Sequence, residues 1–208
     1  MKVKKFALTL LASTAVLFAG SASAALVVAY SPSNQDTENV LSNACTPGTT
    51  IKGPATLVQG CLNQDKSTII NFQSNENLTI TGGQSTITAQ DGGFSQLSIF
   101  LDEANATFAK LVLNIFSSVD GFVTFFGTPG GSTGPLALSG NGSNFFTITG
   151  DAGEGFSSIS FETTGSVVTD LRQVRIGGVG SSEVPEPATL ALMGAALLGF
   201  AASRKRKA

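Results

Sequence analysis

Histidine and tryptophan are absent from the 208 residues, and tyrosine occurs once, at Tyr30. Without an imidazole, Ser-His-Asp and Cys-His catalysis are excluded, as are the usual metal-hydrolase sites. Cysteine occurs only twice, at Cys45 and Cys61, which leaves no zinc-type ligand set. The indole and phenol rings that sugar platforms prefer are nearly missing. Cations are scarce where they would matter: between Ala25 and Pro187 there are five, Lys52, Lys66, Lys110, Arg172 and Arg175, against all fourteen acids. That stretch therefore carries about −9, far from the whole-chain value of −2. Such a surface repels phosphate backbones and anionic lipid, so nucleic acid is excluded as a partner. No amphipathic helical run of useful length occurs either.

The remaining cations sit at the two ends. Lys2, Lys4 and Lys5 form a positive n-region, Phe6 to Gly20 an apolar h-region, and Ala22-Ser23-Ala24 a small-x-small cleavage site. These are the three parts of a secretory signal peptide over residues 1–24, and they predict cleavage between Ala24 and Ala25 by signal peptidase after Sec export. In an exported chain an even pair of cysteines predicts a Cys45–Cys61 disulfide.

The other end reads Val184-Pro185-Glu186-Pro187, an uncharged run from Ala188 to Ser203, then Arg204-Lys205-Arg206-Lys207. The run of 16 residues makes a helix of roughly 24 Å at about 1.5 Å per residue. That is short of the hydrocarbon thickness of about 30 Å, a gap that snorkelling basic side chains make up. The four cations mark a cytoplasmic stop under the positive-inside rule. Pro185 and Pro187 fix φ and remove two donors, so the single transmembrane helix is predicted to start after them, at 188–203. A plain single-span anchor would need the apolar run but not the Pro-Glu-Pro.

The order of a short Pro motif, one apolar helix and a basic stop over residues 184–208 resembles the PEP-CTERM signal of bacterial envelope proteins. The resemblance implies recognition of Val184, Pro185, Glu186 and Pro187 by an exosortase-type membrane protease. It also implies an inner-membrane precursor, release from the helix, and delivery to the cell surface or exopolysaccharide matrix. In family naming the tail is also grouped with an ice-binding protein C-terminal domain. The body from Val40 to Gly178 is similar to other PEP-CTERM proteins around Asp91-Gly92-Gly93-Phe94, Asn144–Ile148 and Leu171–Gly178, which implies no particular activity.

Between the two signals the chain is rich in Val, Ile, Thr, Phe and Gly, a composition of strands and turns. Ala25–Tyr30 reads as a first strand and Ser33–Asn43 as a short helix. Cys45–Cys61 reads as a stapled Gly/Pro/Thr loop. Strands follow at Ser67–Phe72, Leu78–Thr81, Ser85–Ala89, Phe94–Leu101 and Thr107–Phe116. Asp120-Gly121 is a hairpin signal before Phe122–Phe126. Leu136–Leu138, Asn144–Thr149, Phe156–Thr163 and Val168–Ile176 complete about ten strands. The pattern predicts an all-β domain over 25–176, an antiparallel β-sandwich of jelly-roll type, with a β-solenoid as the alternative. Residues 177–183 read as a Gly/Ser linker.

Few motifs in the body carry chemistry. Asp102-Glu103 offers two carboxylates of the kind a secreted hydrolase uses, but neighbours on a strand face opposite ways. Gly127–Gly134 resembles a phosphate loop only superficially, lacking its Lys and the following helix. Asp91, Asp120 and Asp151 stand at turns beside Gly, where they serve turn chemistry or a bound calcium ion. Thr79-Ile80-Thr81, Thr86-Ile87-Thr88 and Thr147-Ile148-Thr149 invite an ice-binding reading, which β-propensity alone also explains. In each of the pairs Phe125-Phe126 and Phe145-Phe146 one ring must face in and the other out. The expectation is therefore an exported, non-catalytic surface or matrix protein needing no cofactor. A carbohydrate-binding module is the alternative, with a hydrolase or an ice-binding protein behind it.

Overall fold

The computed structural model describes residues 25–46 and 48–181. The predicted signal peptide and the sorting tail, including the predicted helix 188–203, lie outside the described residues. Among the described residues no helix is long and apolar enough to cross a membrane.

The body is all-β, as its composition predicts. Fourteen strands follow in order: β1 Leu26–Ala29, β2 Glu38–Leu41, β3 Ala55–Leu62, β4 Ile69–Thr81, β5 Thr86–Ala89, β6 Gln96–Leu101, β7 Ala106–Thr107, β8 Lys110–Ser117, β9 Gly121–Thr128, β10 Leu136–Leu138, β11 Gly142–Gly150, β12 Ser158–Thr164, β13 Val168–Gly177 and β14 Gly180–Ser181. Among the described residues a single 3-10 turn, Asp151–Gly153, interrupts them.

Among the described residues every pairing is antiparallel, and twelve strands join one barrel-like sheet, eleven in the order β1-β11-β8-β13-β2-β3-β4-β6-β12-β9-β10 and β5 off that path. β5 closes the curve by bridging β13 and β4. It reaches both because they are long and change partners along their length. β4 pairs β6 through Ile70–Gln73 and β5 through Leu78–Thr81. β13 meets β5 at Asp170–Leu171 and β2 at Arg175–Ile176. Gln173, between those two stretches, has a positive φ of 52° where the register against β8 shifts, as a bulge requires.

Strand alternation puts one side of each strand into the barrel. Phe72, Phe94, Phe108, Phe125, Phe146, Phe156 and Phe161 are all buried there, with Ile and Leu between them. Rings pack edge to face: Phe125 stands 5.2 Å from Phe146 and 6.0 Å from Phe161, centroid to centroid. That core links β11 to β9 and β12, which lie toward opposite ends of the sheet order. The inside and outside of both phenylalanine pairs follow the alternation, with Phe125 and Phe146 buried, Phe126 exposed and Phe145 half-buried.

Several local readings are corrected. Ser33–Asn43 holds no helix; its end is strand β2, because Val40 and Leu41 pair with Leu62 and Cys61. The stapled loop stops at Pro54, since Ala55–Leu62 is strand β3 against β4. Ser67–Phe72 and Leu78–Thr81 are the two ends of one strand, joined through polar residues 73–77. Asp120-Gly121 makes no hairpin: β8 pairs with β11 and β13, whereas β9 pairs with β12 and β10, so the chain crosses the barrel there. The stretch read as a linker begins inside the fold, with Gly177 ending β13 and Gly180–Ser181 pairing Thr107 and Ala106.

Cys45 and Cys61 are bonded, with Cα atoms 5.5 Å apart, and both are buried. The bridge closes a loop of about 17 residues, worth roughly 3 kcal/mol through the unfolded chain. Reduction, or Cys45→Ser with Cys61→Ser, is expected to lower the melting temperature by about 6–12 °C, read by thermal unfolding with and without reductant. The same loop needs Gly53, whose φ is +92° and where a Cβ would stand 2.0 Å from the Leu78 carbonyl oxygen.

Candidate functional site

The outward side of β3, β4, β6, β12 and β9 forms one continuous face. Register aligns its side chains in rows running across the strands. One row is Leu57, Gln73, Ser98, Ser160 and Phe126. The next is Gln59, Asn71, Phe100, Ser158 and Thr128. On the other flank Gln96, Glu162 and Thr124 line up. With strands about 4.8 Å apart, a five-strand row is roughly 19 Å long.

Side-chain size turns this face into a trough. Ser98 and Ser160 are small and sit side by side, whereas Gln73, Asn75, Gln96 and Glu162 around them are long. The depression they line has a volume of 380 Å³. Its floor is rigid, because the opposite sides of the same strands carry the buried Leu97, Ile99 and Phe161. Ser74, pointing inward, donates its hydroxyl to the Gln96 carbonyl at 2.7 Å and ties β4 to β6 beneath the trough.

One end of the face is locked and the centre is free. Gln59 Nε2 donates to Asn71 Oδ1 at 3.0 Å, and Asn71 Nδ2 donates to Asp102 Oδ1 at 3.0 Å. In contrast, Gln73, Gln96, Ser98, Ser160 and Glu162 make no side-chain hydrogen bond among the described residues, so their amides, hydroxyls and carboxylate face solvent unengaged. Glu162 is the one charged group lining the trough. Phe126, 36 % exposed, ends its central row, and Phe122, 52 % exposed, lies four residues back on the same strand.

Other candidates are less open to ligand. Asp65, Asp102 and Glu103 line a second cleft of 320 Å³. The Ser67 and Thr68 hydroxyls donate to Asp65 and hold its carboxyl below the usual carboxylate range. Among the described residues no cluster of acids or cysteines is arranged to hold a metal ion. Lys52 donates its ammonium to the Ser42 carbonyl, and burial lowers its pKa. On the far side of the barrel Arg172 pairs with Asp170 and lies 4.4 Å over the Phe116 ring, so that face is internally matched.

The residues singled out in the sequence fall in separate places. Val184–Pro187, Arg204–Lys207, Ala22 and Ala24 lie outside the described residues. Ala25 heads β1 and its carbonyl accepts from the Asp151 amide. Asp91, Asp120 and Asp151 occupy three different turns; Asp120 Oδ1 accepts from the Gly140 amide at 2.8 Å. Two threonine triplets do meet, with Thr79 opposite Thr88 and Thr81 opposite Thr86, while the third runs along β11. Gly127–Gly134 folds back on β9 through a Phe126–Ser132 bridge. None of the trough residues stands out in the sequence. The available signal is the alternation Gln96-x-Ser98-x-Phe100 and Ser158-x-Ser160-x-Glu162, which marks two solvent faces without saying that they adjoin.

Comparison with known proteins locates the clearest identity in the tail. Residues 183–207 match the family model of the PEP-CTERM protein-sorting motif. No curated protein sequence matches the chain. Among solved structures the body is similar to a family 29 carbohydrate binding module, at 15 % identity and a TM-score of 0.33, over 63 % of this chain and 84 % of that one. A point mutant from a study of ligand recognition by family 29 modules matches equally, over 63 % and 87 %.

Proposed function

Because the chain carries the PEP-CTERM sorting motif at residues 183–207, we propose that it is an exported, non-catalytic protein of the cell surface or extracellular matrix. An exosortase-type protease sorts it through Val184–Pro187. The sorting motif is the observation that carries this reading. In it the precursor is held in the inner membrane by the apolar segment, with Arg204–Lys207 on the cytoplasmic side, until cleavage releases a jelly-roll-like β domain outward. The acidic body suits that destination, since about −9 of charge keeps it soluble and off anionic lipid. The absence of histidine and the engagement of Asp65 and Asp102 in internal hydrogen bonds favour a binding or structural role over hydrolysis.

A second reading, carbohydrate binding, is favoured by one observation: the trough of unengaged amides and hydroxyls beside exposed Phe126. The four paired threonines cover only two strands, too small an array to favour ice binding. Fractionation of the host with intact-mass analysis tests the sorting reading. The expected species lies outside the inner membrane, begins at Ala25 and lacks Ala188–Ala208. A species of full tail length in the inner membrane overturns it.

A further inference from the structure

Resting on the carbohydrate-binding reading, we propose that the trough across β4, β6 and β12 is a site for an uncharged, hydroxyl-rich polysaccharide chain. Such a chain lies along the row Gln73, Ser98, Ser160 and Phe126.

Three features select that ligand. The first is hydrogen-bonding chemistry. Gln73 and Gln96 each present a donor and an acceptor together, which matches a pair of neighbouring hydroxyls, and the Glu162 carboxylate accepts from two hydroxyls at once. Ser98 and Ser160 supply short groups on the floor, where a bulkier residue would lift the chain away. Because these groups spend nothing on one another, they are available to ligand.

The second feature is the phenyl surface. Phe126 at the end of the row, with half-buried Phe100 one row over, offers flat apolar area to the C–H face of a sugar ring. Aromatic rings beside convergent polar groups are the usual make-up of a small-molecule site. The third feature is charge. No lysine or arginine lines the trough, and its one charge is negative. A uronate, sulfate or phosphate on the chain would meet Glu162 without a counter-charge, inside a strongly acidic molecule. The arginines of β13 lie away from the trough, Arg172 matched to Asp170 and Phe116 and Arg175 donating to Thr37. The ligand is therefore neutral. The four-strand row is roughly 14 Å long at about 4.8 Å per strand, enough for more than one sugar unit at once.

The test is affinity electrophoresis of the exported protein, purified from its host, through native gels containing hydroxyethyl cellulose, galactomannan or polygalacturonate. The wild type is expected to be retarded by at least one of the two neutral polymers and to pass the polygalacturonate gel unhindered. Gln73→Ala with Gln96→Ala is expected to weaken that retardation about tenfold or more, and Ser160→Tyr to abolish it by filling the floor. Arg172→Ala, on the far face, should behave as wild type. All these positions are on the surface, and an unchanged unfolding midpoint shows that each variant is folded. Retardation that the trough variants leave intact overturns the site but not carbohydrate binding. Retardation by polygalacturonate alone overturns the neutral ligand class. Passage through all three gels overturns carbohydrate binding and the site with it, and leaves the sorting reading standing.

Discussion

A chain carrying Pro185→Ala, Glu186→Ala and Pro187→Ala together is expected to stay in the inner membrane at precursor tail length, while the wild type is released without Ala188–Ala208. The effect should be close to all-or-none, because two physical changes act in the same direction. The first removes the recognition feature. The two prolines predict an extended Val184–Pro187 with few backbone donors, a shape a protease can bind as a strand-like segment. Alanine is the best helix former, so the variant segment joins the helix that follows. The second change strengthens the anchor. Extending the predicted helix from 188–203 back to residue 184 adds about 6 Å, bringing it to roughly 30 Å, close to the hydrocarbon thickness. The substitutions lie outside the β domain, so a difference in location cannot be laid to misfolding if disulfide content and unfolding midpoint are unchanged. Glu186→Gln alone separates the carboxylate from backbone shape: retention by that variant assigns recognition to the charge, and normal release assigns it to the prolines. Intact mass and membrane fractionation read both. If wild type and triple variant alike keep the tail and stay in the inner membrane, the segment is an anchor only. The distance from domain to membrane bears on the same step. If the membrane segment starts at Ala188 as predicted, the chain from Ser181 on β14 reaches at most about 25 Å, and the sorting reading then requires cleavage within that distance of the β domain.

Tail and body differ in how much of them the sequence discloses, and the reason is locality. A sorting signal is a linear string whose parts act in order, so its residues are legible without a fold. In the body, β6 is legible because its apolar residues alternate over a full strand, with Leu97, Ile99 and Leu101 buried on one side. The Phe125-Phe126 orientation follows from the same two-residue period. Readings fail where partners decide. β2 is short and half polar, and becomes a strand because β13 and β3 are there to pair with it. β4 reads as two strands because Gln73, Asn75 and Asn77 break the apolar run, yet those residues face solvent while the chain stays extended. Asp120-Gly121 carries a hairpin signature, but the flanking strands take different partners across the barrel. The trough has the same difficulty in stronger form. Gln96 and Glu162 are opposite each other although 66 positions apart, and no local pattern reports that neighbourhood. What does carry over from the sequence is the chemistry that the trough lacks: no histidine, no indole and few cations.

Phe125→Ala is expected to destabilise the β domain by about 3–5 kcal/mol, toward the top of that range, with a melting temperature lower by roughly 10–15 °C. The ring is fully buried, so truncation leaves a cavity as well as losing transfer energy. It is also the common member of two edge-to-face pairs, with Phe146 at 5.2 Å and Phe161 at 6.0 Å, and each such pair adds about 0.5–1.5 kcal/mol beyond area. Those partners sit on β11 and β12, so the ring joins strands from opposite ends of the sheet order. The neighbouring Phe126→Ala is the matched control. Its ring is 36 % exposed and lies outside the barrel, so it should cost under about 1 kcal/mol while altering the trough row it ends. Urea unfolding of the oxidised protein compares the two, with the midpoint shifting and the slope unchanged if only stability has altered. The contrast between adjacent positions also tests the register of β9. A slip of one residue would exchange the two rings between core and solvent, and with them every outward side chain of that strand. Equal costs, or a larger cost at Phe126, would therefore refute both the aromatic core and the end of the trough that Phe126 forms. A large cost confined to Phe125 fixes Thr124 and Phe126 on the solvent side, where the proposed site needs them.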